Sequence, residues 1–80
     1  MSEREILAVF TRILRDLLMD DSIVLTMDMC RQDVANWDSM AYISFIVAAE
    51  GELGVRFNVA EVESFGTVGE IVATASARLR

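Results

Sequence analysis

The chain contains no histidine, no lysine and no proline, a single cysteine and only four glycines. Without histidine a zinc site of the ordinary type is excluded, and no metal is expected. General acid–base work would fall to carboxylates alone, and nucleophilic attack to Cys30 or to a serine with no obvious base. Cys30 lies in an acidic stretch, the wrong surroundings for a reactive thiolate, and reads as a bystander. An enzyme is therefore the weakest reading. One cysteine allows no intrachain disulfide and suits a reducing cytoplasm. The lack of proline and the few glycines favour helices joined by loops over a sheet built on tight turns. No uncharged run approaches the roughly 20 residues that a bilayer span requires. The MSEREIL start lacks the apolar segment of a signal peptide. No stable membrane insertion is expected, and the expected location is cytoplasmic.

All the positive side-chain charge is arginine, seven residues against thirteen acids, for a net charge of −6. Such a chain repels nucleic-acid phosphates and anionic membrane surfaces, so neither is expected as a partner. The charge is uneven. Residues 16–38 hold Asp16, Asp20, Asp21, Asp28, Asp33 and Asp38 against Arg31 alone, a balance of −5. A partner guided by charge would approach this acidic middle with a basic surface.

Eighty residues, 54% of them hydrophobic, suffice for one small domain over 1–80, expected to be monomeric. A chain of this size buries roughly 60% of its unfolded surface, so its core is small. Ser2 with Glu5 forms a capping box, and Ile6, Phe10, Ile13, Leu14, Leu17 and Leu18 recur at helical spacing, predicting a first helix over about 3–18. Residues 19–37 show no sustained period. Their scattered apolar members, Ile23, Leu25, Met29, Val34 and Trp37, read as anchors of a long loop pinned onto a core, with Trp37 holding its end. Asp38 or Ser39 caps a second helix in which Met40, Ile43, Ile46, Val47 and Leu53 form one stripe, widened by Phe45 and Ala49. Gly54 is a natural stop. Glu50 and Glu52 read as a solvated helix end. A short third helix falls near Val59–Ser64. Thr67 with Glu70 caps a last helix turning Val68, Ile71, Val72, Ala75 and Leu79 inward. The fold class is all-α: a small four-helix bundle with a long first loop.

The stretch DVANWDSMAYISF, Asp33–Phe45, raises the functional question, because Asp38-Ser39 precedes a run without charge from Ser39 to Ala49. Asp and Ser favour N-caps, so the pair means at least that a helix starts here. A serine oxygen at a helix N-terminus also lies among unpaired N–H groups at the positive end of the dipole, which suits a phosphodiester.

The order long helix, long loop, Asp-Ser, second helix ending at Gly54, short helix and capped last helix resembles the acyl carrier protein family. Asp38-Ser39-Met40 is similar to that family's Asp-Ser-Leu motif, and Asp33-Val34-Ala35-Asn36-Trp37 to the Asp-Val-x-x-Trp lead of variant members. Downstream, Glu50-Gly51-Glu52-Leu53-Gly54-Val55-Arg56-Phe57 and Phe65-Gly66-Thr67-Val68-Gly69-Glu70-Ile71 resemble the end of its second helix and the start of its fourth. The resemblance implies a carrier without catalytic activity of its own, with phosphopantetheine attached at Ser39 and acyl intermediates held as thioesters. Asp38 would then cap the helix and help a phosphopantetheinyl transferase and its magnesium reach the hydroxyl. The partners implied are that transferase and the enzymes that load and process the acyl group.

Two departures bear on partners. Met40 replaces Leu, and Ala41 and Ser44 stand where the family commonly has carboxylates. Contact is therefore expected to be apolar, through Met40 and the outward members of Tyr42, Phe45 and Val47. Steering then falls to the acidic loop and to Glu50, Glu52, Glu61 and Glu63. This points to a dedicated carrier in a specialised pathway. Gly51 and Gly54 are expected to soften the end of the second helix around a tethered chain. An aminoacyl or peptidyl carrier uses the same serine and arm. An unmodified helical interaction module is the alternative of another class.

Overall fold

The structure, a computed structural model, describes residues 1–79, and the regular structure among them is helical throughout. Helix α1 spans Glu3–Leu18, α2 Ser39–Leu53, α3 Val59–Ser64 and α4 Val68–Arg78, with a single 3₁₀ turn at Arg31–Asp33. The expected all-α bundle is the one observed. Helices α1, α3 and α4 begin at reciprocal caps, and α2 at a single Asp38 cap. The Ser2 hydroxyl accepts from the Glu5 N–H at 3.2 Å, while the Glu5 carboxylate accepts from the Ser2 N–H at 2.8 Å. Thr67 and Glu70 repeat the arrangement before α4, and Asn58 and Glu61 before α3, a cap the sequence reading did not single out. Gly54 ends α2 with φ 70°, in the left-handed region that glycine enters without penalty.

The core forms where α1 packs on α2 and α4. Ile6, Phe10, Ile13 and Leu14 of α1 meet Phe45, Ile46 and Ala49 of α2 and Val68, Ile71, Val72 and Ala75 of α4. The Phe10 and Phe45 rings meet edge to face at 5.2 Å, and Trp37 packs on Phe45 at 5.1 Å in the same geometry, which aromatic quadrupoles favour.

The long connection between α1 and α2 is anchored as its scattered apolar residues predict. Ile23, Leu25, Val34 and Trp37 are all buried. Backbone ties complete the hold. Arg15 Nε donates to the Ile23 carbonyl at 2.6 Å, and the Val68 and Gly69 N–H groups donate to the Met29 and Met27 carbonyls at 2.8 and 2.7 Å. Those two amides open α4 and have no partner within their own helix, so the loop serves as its cap.

The single stripe read along α2 is corrected: it divides between two faces of the helix. Met40, Ile43 and Val47 face outward, 82, 53 and 60% exposed, whereas Phe45, Ile46 and Ala49 are buried. Because α2 is apolar nearly all round, periodicity could not choose between its faces; the Phe10 and Trp37 contacts select Phe45. Leu79 lies past the end of α4 and is exposed, as is Leu17 on α1. Glu50 and Glu52 are more than a solvated end. Glu50 accepts from the Phe57 N–H at 2.8 Å, and Glu52 pairs with Arg12, joining α2 to the next loop and to α1.

Candidate functional site

The Asp38 carboxylate accepts from the Ala41 N–H at 2.9 Å and is the N-cap of α2. Ser39 is therefore the first helical residue, exposed, with its hydroxyl free of capping duty. Arg31, on the 3₁₀ turn, donates from Nη1 to Ser39 Oγ at 3.4 Å and lies over the Tyr42 ring, 5.5 Å from its centroid. Tyr42 is half-buried, and its hydroxyl donates to the Val62 carbonyl at 2.7 Å, tying α2 to α3. Burial pushes its phenol above the usual range; the Arg31 charge pulls it back and Glu70 adds to the rise. Beside Ser39 runs a groove of about 460 Å³ whose lining includes Arg31, Gln32, Tyr42, Ile43 and Phe65.

Asp38, Ser39, Met40 and Tyr42 thus gather at the start of α2. Met40 and Val47 share an outer face with Ile43, while Phe45, one candidate for that face, is in the core. Tyr42 lies to the side of that face, along the groove. Trp37 underlies the site, 4% exposed, and its Nε1 has no hydrogen-bond partner. Arg31 escaped sequence reasoning; its only signal was its place as the lone cation in the acidic stretch. Ile43 was read as part of the α2 stripe but not named as a partner contact. Of the acids expected to steer partners, Glu50, Glu52 and Glu61 are engaged within the chain, Glu61 with Arg78 at 2.5 Å.

The family model described as phosphopantetheine attachment site matches residues 5–75. The solution structure of the holo acyl carrier protein from Geobacter metallireducens is similar, with 32% identity and a TM-score of 0.83, over 91% of this chain and 84% of that one. The chain belongs to the acyl carrier protein family. No curated protein matches it. As an acyl carrier protein it bears a covalent phosphopantetheine and acts as a carrier, not a catalyst. The residues at the start of α2 fit such an arm: an accessible hydroxyl, helix N-terminal amides, a guanidinium and an adjoining groove are what a phosphodiester and a polar tether require. When bound, the arm supplies a thiol that holds the acyl group as a thioester. Among the described residues no group of His, Cys, Asp or Glu could hold a metal ion, and no helix is long and apolar enough to cross a membrane.

Proposed function

We propose that Ser39 is the attachment serine and that the chain, as one domain over 1–80, serves few enzymes in a specialised pathway. The observation that carries the attachment is the Ser39 hydroxyl itself, exposed at the first position of α2 while Asp38 takes the capping role. In loading, Ser39 Oγ forms the new bond to phosphorus, the pyrophosphate bond of coenzyme A breaks, and the nucleotide half leaves with the electron pair. The serine proton passes to the transferase. Asp38 directly precedes Ser39 in the chain, and its charge also suits the transferase's magnesium.

The dedicated role rests on the outer face of α2. Met40, Ile43 and Val47 present an apolar strip, and the first turn of α2 carries no acid. Partners that read this carrier bury aliphatic side chains there, Met40 adapting its shape to each, with Tyr42 at the margin. Charge steers encounter through the exposed aspartates of the long loop and Glu63, since the other acids are engaged.

Intact-protein mass after incubation with coenzyme A, magnesium and a broad-specificity phosphopantetheinyl transferase tests the attachment. The wild type is expected to gain one phosphopantetheine unit, and Ser39→Ala none. A gain that survives Ser39→Ala, or no gain in the wild type with several transferases, would refute the assignment.

A further inference from the structure

We infer that Arg31 is the counter-ion and positioning residue for the phosphodiester on Ser39, with Tyr42 as the platform that holds it there; the inference rests on Ser39 being the attachment point. Arg31 is the only basic residue between Arg15 and Arg56. Arg12, Arg15 and Arg78 have strong acceptors: Arg12 pairs with Glu52 and Asp16, Arg15 donates to the Ile23 carbonyl, and Arg78 meets Glu61 and the Arg56 carbonyl, whereas Arg4 and Arg56 lie away from the Ser39 end of α2. Among the described residues Arg31 has no carboxylate within ion-pair distance, although the segment around it is rich in aspartate.

The aspartates flanking the site are committed elsewhere. Asp33 accepts from the Cys30 N–H at 2.8 Å, and Asp38 from the Ala41 N–H at 2.9 Å. What Arg31 does have is the Tyr42 face at 5.5 Å and Ser39 Oγ at 3.4 Å. The first is within cation–π range, and the second is a long, weak bond to a neutral oxygen. Tyr42 is fixed in turn by its hydrogen bond to Val62 and by the neighbouring Trp37 ring at 6.2 Å. The guanidinium is thus held on a rigid ring, half-buried and without an anion, beside the oxygen that would carry one. A phosphodiester on Ser39 gives it charge-assisted hydrogen bonds, which a planar guanidinium makes well. Without Arg31 the same anion would stand among aspartates alone, relieved only by the dipole of α2.

The test compares wild type, Arg31→Gln and Arg31→Lys, each loaded to completion with coenzyme A, magnesium and transferase, with loading checked by intact mass. The thermal midpoint is read for the loaded and unloaded form of each, and the ³¹P resonance for the loaded forms. The change in midpoint on loading is expected to be about 2–4 °C more favourable in wild type than in Arg31→Gln, with Arg31→Lys between them. High salt should narrow that gap, and the ³¹P resonance should move in Arg31→Gln. Each protein is compared with its own unloaded form, so any general loss of stability from the substitution cancels. Equal midpoint changes and one ³¹P position in fully loaded wild type and Arg31→Gln would overturn the inference while leaving Ser39 as the attachment point. No loading of the wild type would instead overturn the attachment, and the inference with it.

Discussion

At Asp38 the carboxylate caps α2, and the residue directly precedes the serine proposed for the arm. Two substitutions separate the cap from the charge. Asp38→Ala removes the cap and is expected to lower stability by about 1 kcal/mol, read from the urea midpoint. Asp38→Asn keeps a capping oxygen and is expected to stay within a few tenths of wild type, yet to load more slowly because the charge is gone. Equal loading rates for the Asp38→Asn variant and the wild type would remove any role for that charge in transferase recognition. Tyr42→Phe leaves the ring under Arg31 but deletes the hydroxyl bonded to Val62 at 2.7 Å. A loss of about 1 kcal/mol is expected. That a helix starts at Asp38-Ser39 was legible in the sequence because capping is local, but which of the two caps it was settled only by the bond from the Ala41 N–H to Asp38. Arg31 was not legible, because its relation to Ser39 depends on how the loop turns back across Tyr42, which no local pattern specifies.

The elements divide along the same line. Helices α1 and α4 announced themselves by capping boxes and by stripes that match their buried faces, Leu17 and Leu79 excepted. The extent of α2 was equally plain, but its orientation was not: apolar residues on all sides left the choice to tertiary contacts with Phe10 and Trp37. The 3₁₀ turn at Arg31–Asp33, three residues long, has too little sequence to carry a period. Two glycines show how differently a residue acts within an element and at its junction. Gly51 is helical and a Cβ there meets nothing within 4 Å. Gly51→Ala is therefore expected to stabilise the protein by about 1 kcal/mol and to slow amide exchange at the end of α2. At Gly69 a Cβ would come within 2.7 Å of the Met27 carbonyl, the same oxygen that accepts its N–H. Gly69→Ala is expected to push the loop off the start of α4 and to destabilise by about 2 kcal/mol. Opposite signs in one chemical denaturation series would bear out both placements; a stabilised Gly69→Ala would refute the pinning of the loop.

Over the whole molecule the net charge of −6 and the paired carboxylates act on stability in opposite directions as pH falls. Protonation relieves repulsion within the acidic segment, which favours the folded state. Three carboxyls oppose this. Glu5 is held below the usual range by hydrogen bonds from the Ser2 backbone and hydroxyl, and Asp20 by those of the Ser22 hydroxyl and N–H. Glu61 is lowered first by its hydrogen bond to Arg78 and then by the Asn58 N–H. In each the folded value lies below the unfolded one, so on acidification the unfolded chain takes up protons first. Their contribution is complete above the ordinary carboxylate range near pH 4 and is lost as pH falls through the lower folded values. Glu5 and Asp20 are exposed and Glu61 partly so, but their hydrogen bonds act at contact distance, whereas repulsion among the loop aspartates acts over longer separations that salt screens, so the carboxyl contribution is expected to prevail at 0.15 M ionic strength. The urea midpoint should hold between about pH 7 and 5 and decline from there to pH 3. Glu61→Gln should lower the midpoint at pH 7 and flatten the decline, because it removes one of the three groups whose protonation drives it. A midpoint that rises steadily on acidification, with the same slope in Glu61→Gln, would mean that repulsion in the acidic segment governs this carrier's stability instead.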